Sequence, residues 1–345
     1  MHGASQPEEI AELMRAAVLG LLLPLYVAVG FASFIGALHA PAPHDVKVAV
    51  VGPSTDVAPL ARGVSVSARG ALDISQIASV ADARRAVAER DLAAAYVPMS
   101  APTPTIIVAS AASAGLANFV EGRFRQVAAT QGHLLAVDDV KPLPAGDASG
   151  IANFFFLIAC TLAGFLTAVT LGTVSPKLPE TRRLALIASA AIAVPTVVYL
   201  IGGTGFGAFG GTFGTIVAMI AIGALYTVTV ALVTRGLQIA AGRRGFVLAS
   251  LIFIFLNLPS SGGIVSGQLL PGFWRFLHQF WIGASALDAN RSILYFGGAG
   301  TGTAALKILA WLAGWAALVA AILITRTRQR RNAADLPVRA HPQNG

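Results

Sequence analysis

Long runs of apolar residues divide the chain. A membrane-spanning helix needs about 20 mainly apolar residues, and five runs meet or approach this length: 16–38, 151–174, 184–201, 212–234 and 303–325. A sixth run, 246–258, would reach only about 20 Å as a helix. Extending it backward to Leu237 places Arg243 and Arg244 at the membrane surface, whereas extending it forward meets Pro259 and two glycines, which favour a broken segment. The pattern predicts six spans.

Residues 39–150, between the first two runs, have the pattern of a small α/β domain. The predicted strands are 46–51, 93–98, 105–110 and 134–140, and the predicted helices are 79–90 and about 113–130. Ser79 is placed to cap the first helix, with Asp82 in its first turn. Alternating strands and helices predict a largely parallel sheet. The predicted fold class is therefore an α-helical polytopic membrane protein with six spans and an α/β domain inserted after the first span.

Composition agrees with this class, since 55% of residues are apolar and only 12% are charged. Soluble globular domains carry about 25% charged residues, so an ordinary soluble enzyme is excluded. The formal net charge of +8 comes from basic residues beside the apolar runs, which indicates orientation in a bilayer rather than nucleic-acid binding.

Lys and Arg are concentrated in alternate connections, namely 175–183, 235–245 and the basic tail 326–345. Cytoplasmic loops collect these residues. We therefore predict a plasma (inner) membrane protein with both termini cytoplasmic and residues 39–150 extracytoplasmic. The first run, 16–38, is longer than the apolar core of a signal peptide and is interpreted as an uncleaved anchor.

Residues 1–15 precede the first span and contain a short amphipathic pattern. Pro7, Glu8 and Glu9 suit the first turn of a helix, and Ile10, Leu13 and Met14 share one face. Two interpretations remain open, a cytoplasmic elbow lying in the interface and the cytosolic end of the first span.

Catalytic motifs are absent from the sequence. It contains no G-x-x-x-x-G-K-[ST], H-E-x-x-H or G-x-S-x-G pattern. The formal G-x-G-x-x-G match at 205–210 lacks a strand-turn-helix context and is interpreted as a glycine-rich turn. His39 and His44 are too isolated to favour a metal site, and the only cysteine, Cys160, excludes an intrachain disulfide. We predict no catalytic residue, no metal and no cofactor in this chain.

The segment 256–294 has the most unusual local sequence. Its predicted helix-breaking residues are Pro259, Ser260, Ser261, Gly262, Gly263 and Pro271. Irregular backbone at membrane depth requires protein or water to satisfy its polar groups, so the segment 257–302 is either a re-entrant gate or an outer loop with interfacial aromatic residues. The residues alone favour the loop. Asp288 and Arg291, three positions apart, are spaced for an ion pair.

The order of these elements resembles the permease subunits of the second class of ABC exporters, and the branch it resembles most is the phage infection protein (YhgE/Pip-like) family. The resemblance covers nearly the whole chain. It rests on the break at 257–263, the L-P-x-F pattern at 270–273 and the segment 286–291, together with the VAVV strand and the helix that follows it.

The resemblance implies a permease for export of cargo, paired with a second copy or a similar permease. A separate cytoplasmic ATP-binding subunit would supply all ATP binding. It also implies two groups of positional residues. The coupling loop toward the ATPase would comprise Pro176, Lys177, Glu180, Arg182 and Arg183, and the helix-breaking residues named above would form a re-entrant gate.

Other interpretations remain open. The basic loop 175–183 is also explained by topology alone, without a partner. Lys307 is the only basic residue within a predicted span, which favours amphipathic or lipid-like cargo, or no cargo. The alternative function is a membrane-anchored scaffold or accessory protein for envelope assembly or secretion. An enzyme is a third alternative, although no nucleophile with a base is recognisable.

Overall fold

The computed structural model describes residues 6–53, 70–98 and 103–334. The main elements are α1 Gln6–Leu38, β1 Val46–Val51, β2 Leu72–Ile77, α2 Val80–Ala88, β3 Ala94–Val97, β4 Thr105–Val108, α3 Ala114–Thr130, β5 Ala136–Asp139, α4 Ala152–Thr173, α5 Glu180–Gly205, α6 Phe213–Ala241, α7 Arg243–Ser260, α8 Gly272–Phe280, α9 Ile282–Tyr295 and α10 Thr301–Ala334. Two stretches are π-helical, Leu200–Gly205 at the end of α5 and Leu251–Leu256 within α7.

Six of the described helices, α1, α4, α5, α6, α7 and α10, are long and apolar enough to cross a membrane. The predicted number of helices with the length and composition of membrane spans, six, is confirmed for the described residues. Short connections make successive spans antiparallel. The α/β domain follows α1 and precedes α4, so it lies at the end of the bundle where α1 finishes, here called the domain end. The α4–α5 and α6–α7 connections and the last turns of α10 lie at the opposite end, here called the tail end.

The α7 span differs from its sequence prediction at both ends. Leu237 belongs to α6, because that helix continues to Ala241. Gly242 then reverses the chain in a single residue, with a φ of 59° that glycine adopts without strain, and Arg243 begins α7. Extension as far back as Leu237 is therefore wrong, although the helix does begin before the run, at Arg243. In the forward direction the span continues through Pro259 to Ser260.

The first helix is continuous from Gln6 to Leu38. The structure shows no break near residue 15 that would separate an elbow from the span. The described part of the amphipathic segment therefore agrees with the simpler interpretation, an extension of the first span at the tail end. Residues 1–5 lie outside the described residues.

The α/β domain contains a five-stranded sheet with the order β2-β1-β3-β4-β5. Only the β3–β4 pair is antiparallel, so the largely parallel sheet is confirmed. The two predicted helices are also present, capped by the side chains of Ser79 and Ser113. Sequence analysis missed β2, an edge strand whose Asp73, Ser75 and Gln76 are exposed, because its apolar residues do not alternate regularly.

The sheet is covered on both faces, and each core includes a residue of the membrane part. Phe124 of α3 packs on one face, where Leu269 joins the core. Val87 of α2 packs on the other face, where Phe296 joins the core. Backbone bonds from Ala42 N to the Leu269 oxygen (3.0 Å) and from His44 N to the Gln268 oxygen (3.0 Å) add to this junction. The domain is thus docked on the bundle by shared apolar packing.

Candidate functional site

The chain after α7 forms a helical hairpin that re-enters the bundle. α8 and α9 meet at Trp281, and the Phe280 carbonyl next to this turn accepts a hydrogen bond from Trp311 Nε1 at 2.9 Å. Trp311 lies about ten residues, or roughly 15 Å, beyond the start of α10. The turn is therefore deep within the bundle, and the outer-loop interpretation does not describe this segment.

The two hairpin helices differ in their surroundings. α8 is amphipathic: Trp274 and Leu277 pack against Ala37 at the end of α1, whereas Phe273, Phe276 and Phe280 are exposed. Most residues of α9 are buried among the spans. These exposed phenylalanines follow one side of a re-entrant helix, which differs from the interfacial aromatic belt considered from sequence.

A buried polar network anchors the hairpin turn to the spans. Asn257, which is 0% exposed, donates from Nδ2 to the Tyr226 hydroxyl at 2.7 Å and accepts at Oδ1 from Gly283 N at 2.7 Å. The Tyr226 hydroxyl also lies 2.7 Å from Thr161 Oγ1. Non-helical backbone inside a membrane protein needs such internal partners. The network joins α4, α6 and α7 to the start of α9.

Pro259 and Ser260, predicted to break the helix, instead form the last turn of α7, and the chain leaves the helix at Ser261. Residues 259–263 are buried, and hairpin side chains satisfy two of their carbonyl groups. His278 Nδ1 donates to the Ser260 oxygen at 2.8 Å, and Arg291 Nη2 donates to the Gly262 oxygen at 3.1 Å. Burial lowers the pKa of His278 below its ordinary value, which keeps the ring neutral at pH 7 with the proton on Nδ1. Pro271 precedes the first residue of α8.

Replacing Gly263 with alanine is expected to destabilise the protein, because a Cβ at this position would collide with the Phe154 ring. Overpacking of this kind costs about 1–3 kcal/mol, measured as the free energy of unfolding of the detergent-solubilised chain. Gly272→Ala is the control, since a Cβ there meets nothing within 4 Å. Equal stability of the two variants would contradict the close approach.

A polar cavity of about 730 Å³ lies between the α/β domain and the hairpin. This junction cavity extends from Lys47 and Asp91 in the domain to Ala284 near the hairpin turn. Its charged and imidazole side chains are His44, Asp45, Lys47, Arg90, Asp91, Arg275, His278, Asp288 and Arg291. Ser261 from the break also lines it. The predicted gate segment therefore contributes Ser261 to the wall of this polar cavity.

The predicted ion pair between Asp288 and Arg291 is replaced by a contact between domains. Asp288 is paired with Arg90, which follows α2, and Arg90 also donates to Ser292 Oγ at 2.8 Å. The Arg90 guanidinium lies 5.2 Å from the centre of the Phe296 ring. Arg90 reaches α9 from a left-handed backbone conformation, φ 70°. This residue therefore fixes the α/β domain on the hairpin.

Arg291 remains positively charged in this cavity. Burial lowers its pKa to about 10, and the charge of Asp288 opposes that shift. A pKa of about 10 still leaves the guanidinium protonated at pH 7. The junction cavity therefore contains a partly buried positive charge next to the Gly262 carbonyl group.

A second cavity, of about 770 Å³, opens beside α4 and α5 at the domain end. Its wall is mainly apolar and includes Phe155, Val198, Ile201 and Phe206. A small space of about 10 Å³, here called the neck, shares lining residues with both cavities. Asp147 lines the neck and the lateral cavity, and Arg291 lines the neck and the junction cavity. The two cavities thus have a common neighbour that is too small to admit an acyl chain.

The predicted coupling residues lie at the tail end. Pro176 and Lys177 are exposed in the connection, and Glu180 and Arg182 are exposed in the first turn of α5. Arg183 differs, because it is only 1% exposed. Its guanidinium donates to the carbonyl oxygens of Leu171, Ser175, Pro176 and Leu178 at 2.8–3.4 Å. Arg183 therefore holds the loop together and is not available to a partner.

Sequence reasoning missed Arg90 and His278 as site residues. Arg90 ends an ordinary amphipathic helix and its partner, Asp288, lies 198 positions away, so no local pattern could identify it. His278 had a weak signal, as a polar residue within the aromatic stretch 273–281. Lys47, within the otherwise apolar strand β1, was also missed as a residue of the cavity.

No protein-family model, curated protein or solved structure matches this chain.

Proposed function

We propose that this chain is the membrane permease subunit of an ABC-type exporter that moves amphipathic or lipid-like cargo outward and is driven by a separate ATPase. The observation that carries the proposal is the re-entrant hairpin lining the junction cavity. A broken segment with internally satisfied polar groups beside a polar space is how membrane proteins build ligand pathways.

The orientation follows from the distribution of charge. Lys177, Arg182, Arg243, Arg244 and Arg328 all belong to the tail end, and short cytoplasmic segments collect basic residues. With the tail end in the cytoplasm, both termini are cytoplasmic, the α/β domain faces outward and the membrane is the plasma membrane. The hairpin and its cavity then open outward.

The hairpin serves as the outer gate in this proposal. Residues 259–263 and Pro271 flank the non-helical segment between α7 and α8, and Tyr226, Phe253 and Ile282, each 0% exposed, fill the space below the turn. This arrangement is a conformation closed toward the cytoplasm. Outward movement of cargo would require the hairpin to separate from α6 and α7.

The exposed residues Pro176, Lys177, Glu180 and Arg182 form the ATPase contact in this proposal. Arg183 supports the loop from within, and Glu180 is held by Arg235 of α6 at 3.0 Å. α1 and α10 bury only 6% of their apolar windows within the chain. Their free faces support pairing with a second copy or a similar permease.

The proposal is tested by co-expressing the tagged chain with its candidate ATPase and measuring co-purification and ATP hydrolysis. The K177E/R182E double variant is expected to lose at least about 90% of the co-purified ATPase, because charge reversal replaces attraction by repulsion. Arg328→Glu, at the same end but outside the loop, is the control. Unchanged co-purification in the double variant would exclude this loop as the contact.

A scaffold without transport is the second candidate. The packed layer below the hairpin favours it, since none of the three cavities described above extends past that layer. Proteoliposomes containing both subunits and a fluorescent lipid discriminate the two functions. ATP-dependent movement of the lipid supports the permease, and its absence with an intact ATPase complex supports the scaffold.

A further inference from the structure

The charges that line the junction cavity do not balance. Its cations are Lys47, Arg90, Arg275 and Arg291, and its carboxylates are Asp45, Asp91 and Asp288. With the histidines counted as neutral, one positive charge is in excess. Arg275 lies 3.8 Å from Asp45, and Arg90 is paired with Asp288. The remaining charges of the lining are Lys47, Arg291 and Asp91. Arg291 belongs to a group with Arg90 and Asp288.

Two guanidinium groups share one carboxylate in that group. Asp288 is ion-paired with Arg90, while Arg291 uses one amino group to hold the Gly262 carbonyl at 3.1 Å. A guanidinium has five donor hydrogens in a planar fork that fits carboxylates and phosphates. Arg291, whose charge Asp288 and Asp147 offset in part, therefore brings unused donors and a positive charge to the inner wall of the cavity, where partial desolvation strengthens its attraction for anions.

We propose that the junction cavity binds the phosphodiester headgroup of an anionic lipid, with Arg291 as its principal contact. A phosphodiester carries one negative charge and accepts hydrogen bonds in the fork geometry of arginine. It would neutralise the single excess charge of the cavity. A zwitterionic headgroup would add a cation that the cavity does not accommodate.

A lipid fits this position better than a free phosphate ester. The cavity has apolar side chains beside its polar ones, including Leu92, Ala93 and Leu116. The neck beside Arg291 is too small to pass an acyl chain toward the lateral cavity. Acyl chains attached to a headgroup at Arg291 would therefore lie against the apolar side chains of the junction cavity itself. This inference deepens the proposed function, because it names the headgroup of the amphipathic cargo.

The test is binding of dioleoyl phosphatidylglycerol to the full chain in neutral detergent, measured by native mass spectrometry without any ATPase. The wild type is expected to bind it about tenfold more tightly than phosphatidylcholine or diacylglycerol, the effect of one charge-assisted hydrogen bond. Arg291→Gln should remove this preference and Arg291→Lys should keep part of it. Arg125→Gln, an exposed change on α3, is the control.

Two further variants distinguish a specific loss of lipid binding from a loss caused by misfolding. Lys47→Gln alters an exposed residue of β1 and should weaken binding by about threefold, as expected for a single less direct charge. Asp288→Asn removes the carboxylate that competes for the cations, so binding should become tighter. A purely structural role of the group predicts weaker binding for Asp288→Asn.

Several outcomes would overturn the proposal. The first is equal binding of anionic and zwitterionic lipids. The second is unchanged lipid binding in both the Arg291→Gln and the Lys47→Gln variants. The third is displacement of the lipid by inorganic phosphate at an equal concentration, which would show that the cavity binds a free anion. Failure of the ATPase to co-purify would leave these binding results untouched. The two proposals can therefore fail separately.

Discussion

Replacing Arg183 with alanine is expected to lower the free energy of unfolding by about 3 kcal/mol, since hydrogen bonds to a charged group contribute about 1.5–3 kcal/mol each. The side chain donates to four carbonyl oxygens, those of Leu171, Ser175, Pro176 and Leu178. The first belongs to the last turn of α4, where carbonyl groups lack helical partners. Thermal unfolding of the detergent-solubilised chain measures the loss.

Limited trypsin digestion provides a second measurement of the same change. Lys177 is exposed within the loop, and cleavage after it should accelerate when the loop is no longer held from within. Arg182→Ala, which removes an exposed neighbouring arginine, is the matched control and should leave stability within about 0.5 kcal/mol of the wild type. If both variants unfold at the same temperature, Arg183 does not organise this loop.

Arg183 shows what a charge pattern can and cannot reveal. The cluster of basic residues in 175–183 identified one end of the bundle, because that inference depends only on which connection contains the charges. It could not distinguish Arg182, which is exposed, from Arg183, which is buried. Burial of Arg183 depends on how the chain turns back after α4, and the sequence spacing alone contains no measure of that turn.

The fold was predictable wherever a local pattern determines it. The lengths of the apolar runs predicted the candidate spans, and the cap Ser79 predicted the start of one domain helix. The missed strand β2 is stabilised by pairing with β1 rather than by its own composition. The α7 boundary was missed because a one-residue reversal at Gly242 leaves no loop to recognise.

The sequence predicted where in the chain the candidate site lies, but not which side chains form its contacts. Pro259 and the glycines after it marked a break, and that break lies beside the junction cavity. Its partners could not be predicted, because Arg90 and His278 reach the site through long-range packing. The spacing of Asp288 and Arg291 indicated an ion pair within one helix, whereas Asp288 instead pairs with Arg90 from another domain.

Replacing Asn257 with leucine is expected to detach the hairpin turn from the spans. Leucine has a similar size but cannot accept from Gly283 N or donate to the Tyr226 hydroxyl. A buried amide N–H left without a partner costs about 1–3 kcal/mol, so the free energy of unfolding should fall by about 2 kcal/mol. Tyr226→Phe keeps the Gly283 contact and removes two side-chain hydrogen bonds, to Asn257 and Thr161, so it should cost about 1.2 kcal/mol, since such bonds between membrane helices average about 0.6 kcal/mol each.

The single cysteine gives a direct measurement of this detachment. Cys160 is 1% exposed and adjoins Thr161, the last member of the Asn257 network, so loosening of the hairpin should open a path to its thiol. Asn257→Leu is therefore expected to speed labelling of Cys160 by N-ethylmaleimide, while Tyr226→Phe should label at nearly the wild-type rate. A stable Asn257→Leu variant with unchanged labelling would show that apolar packing holds the hairpin without the network. Faster labelling with lower stability would show that the hairpin is held by a few polar contacts, which is the condition for a segment that must open during transport.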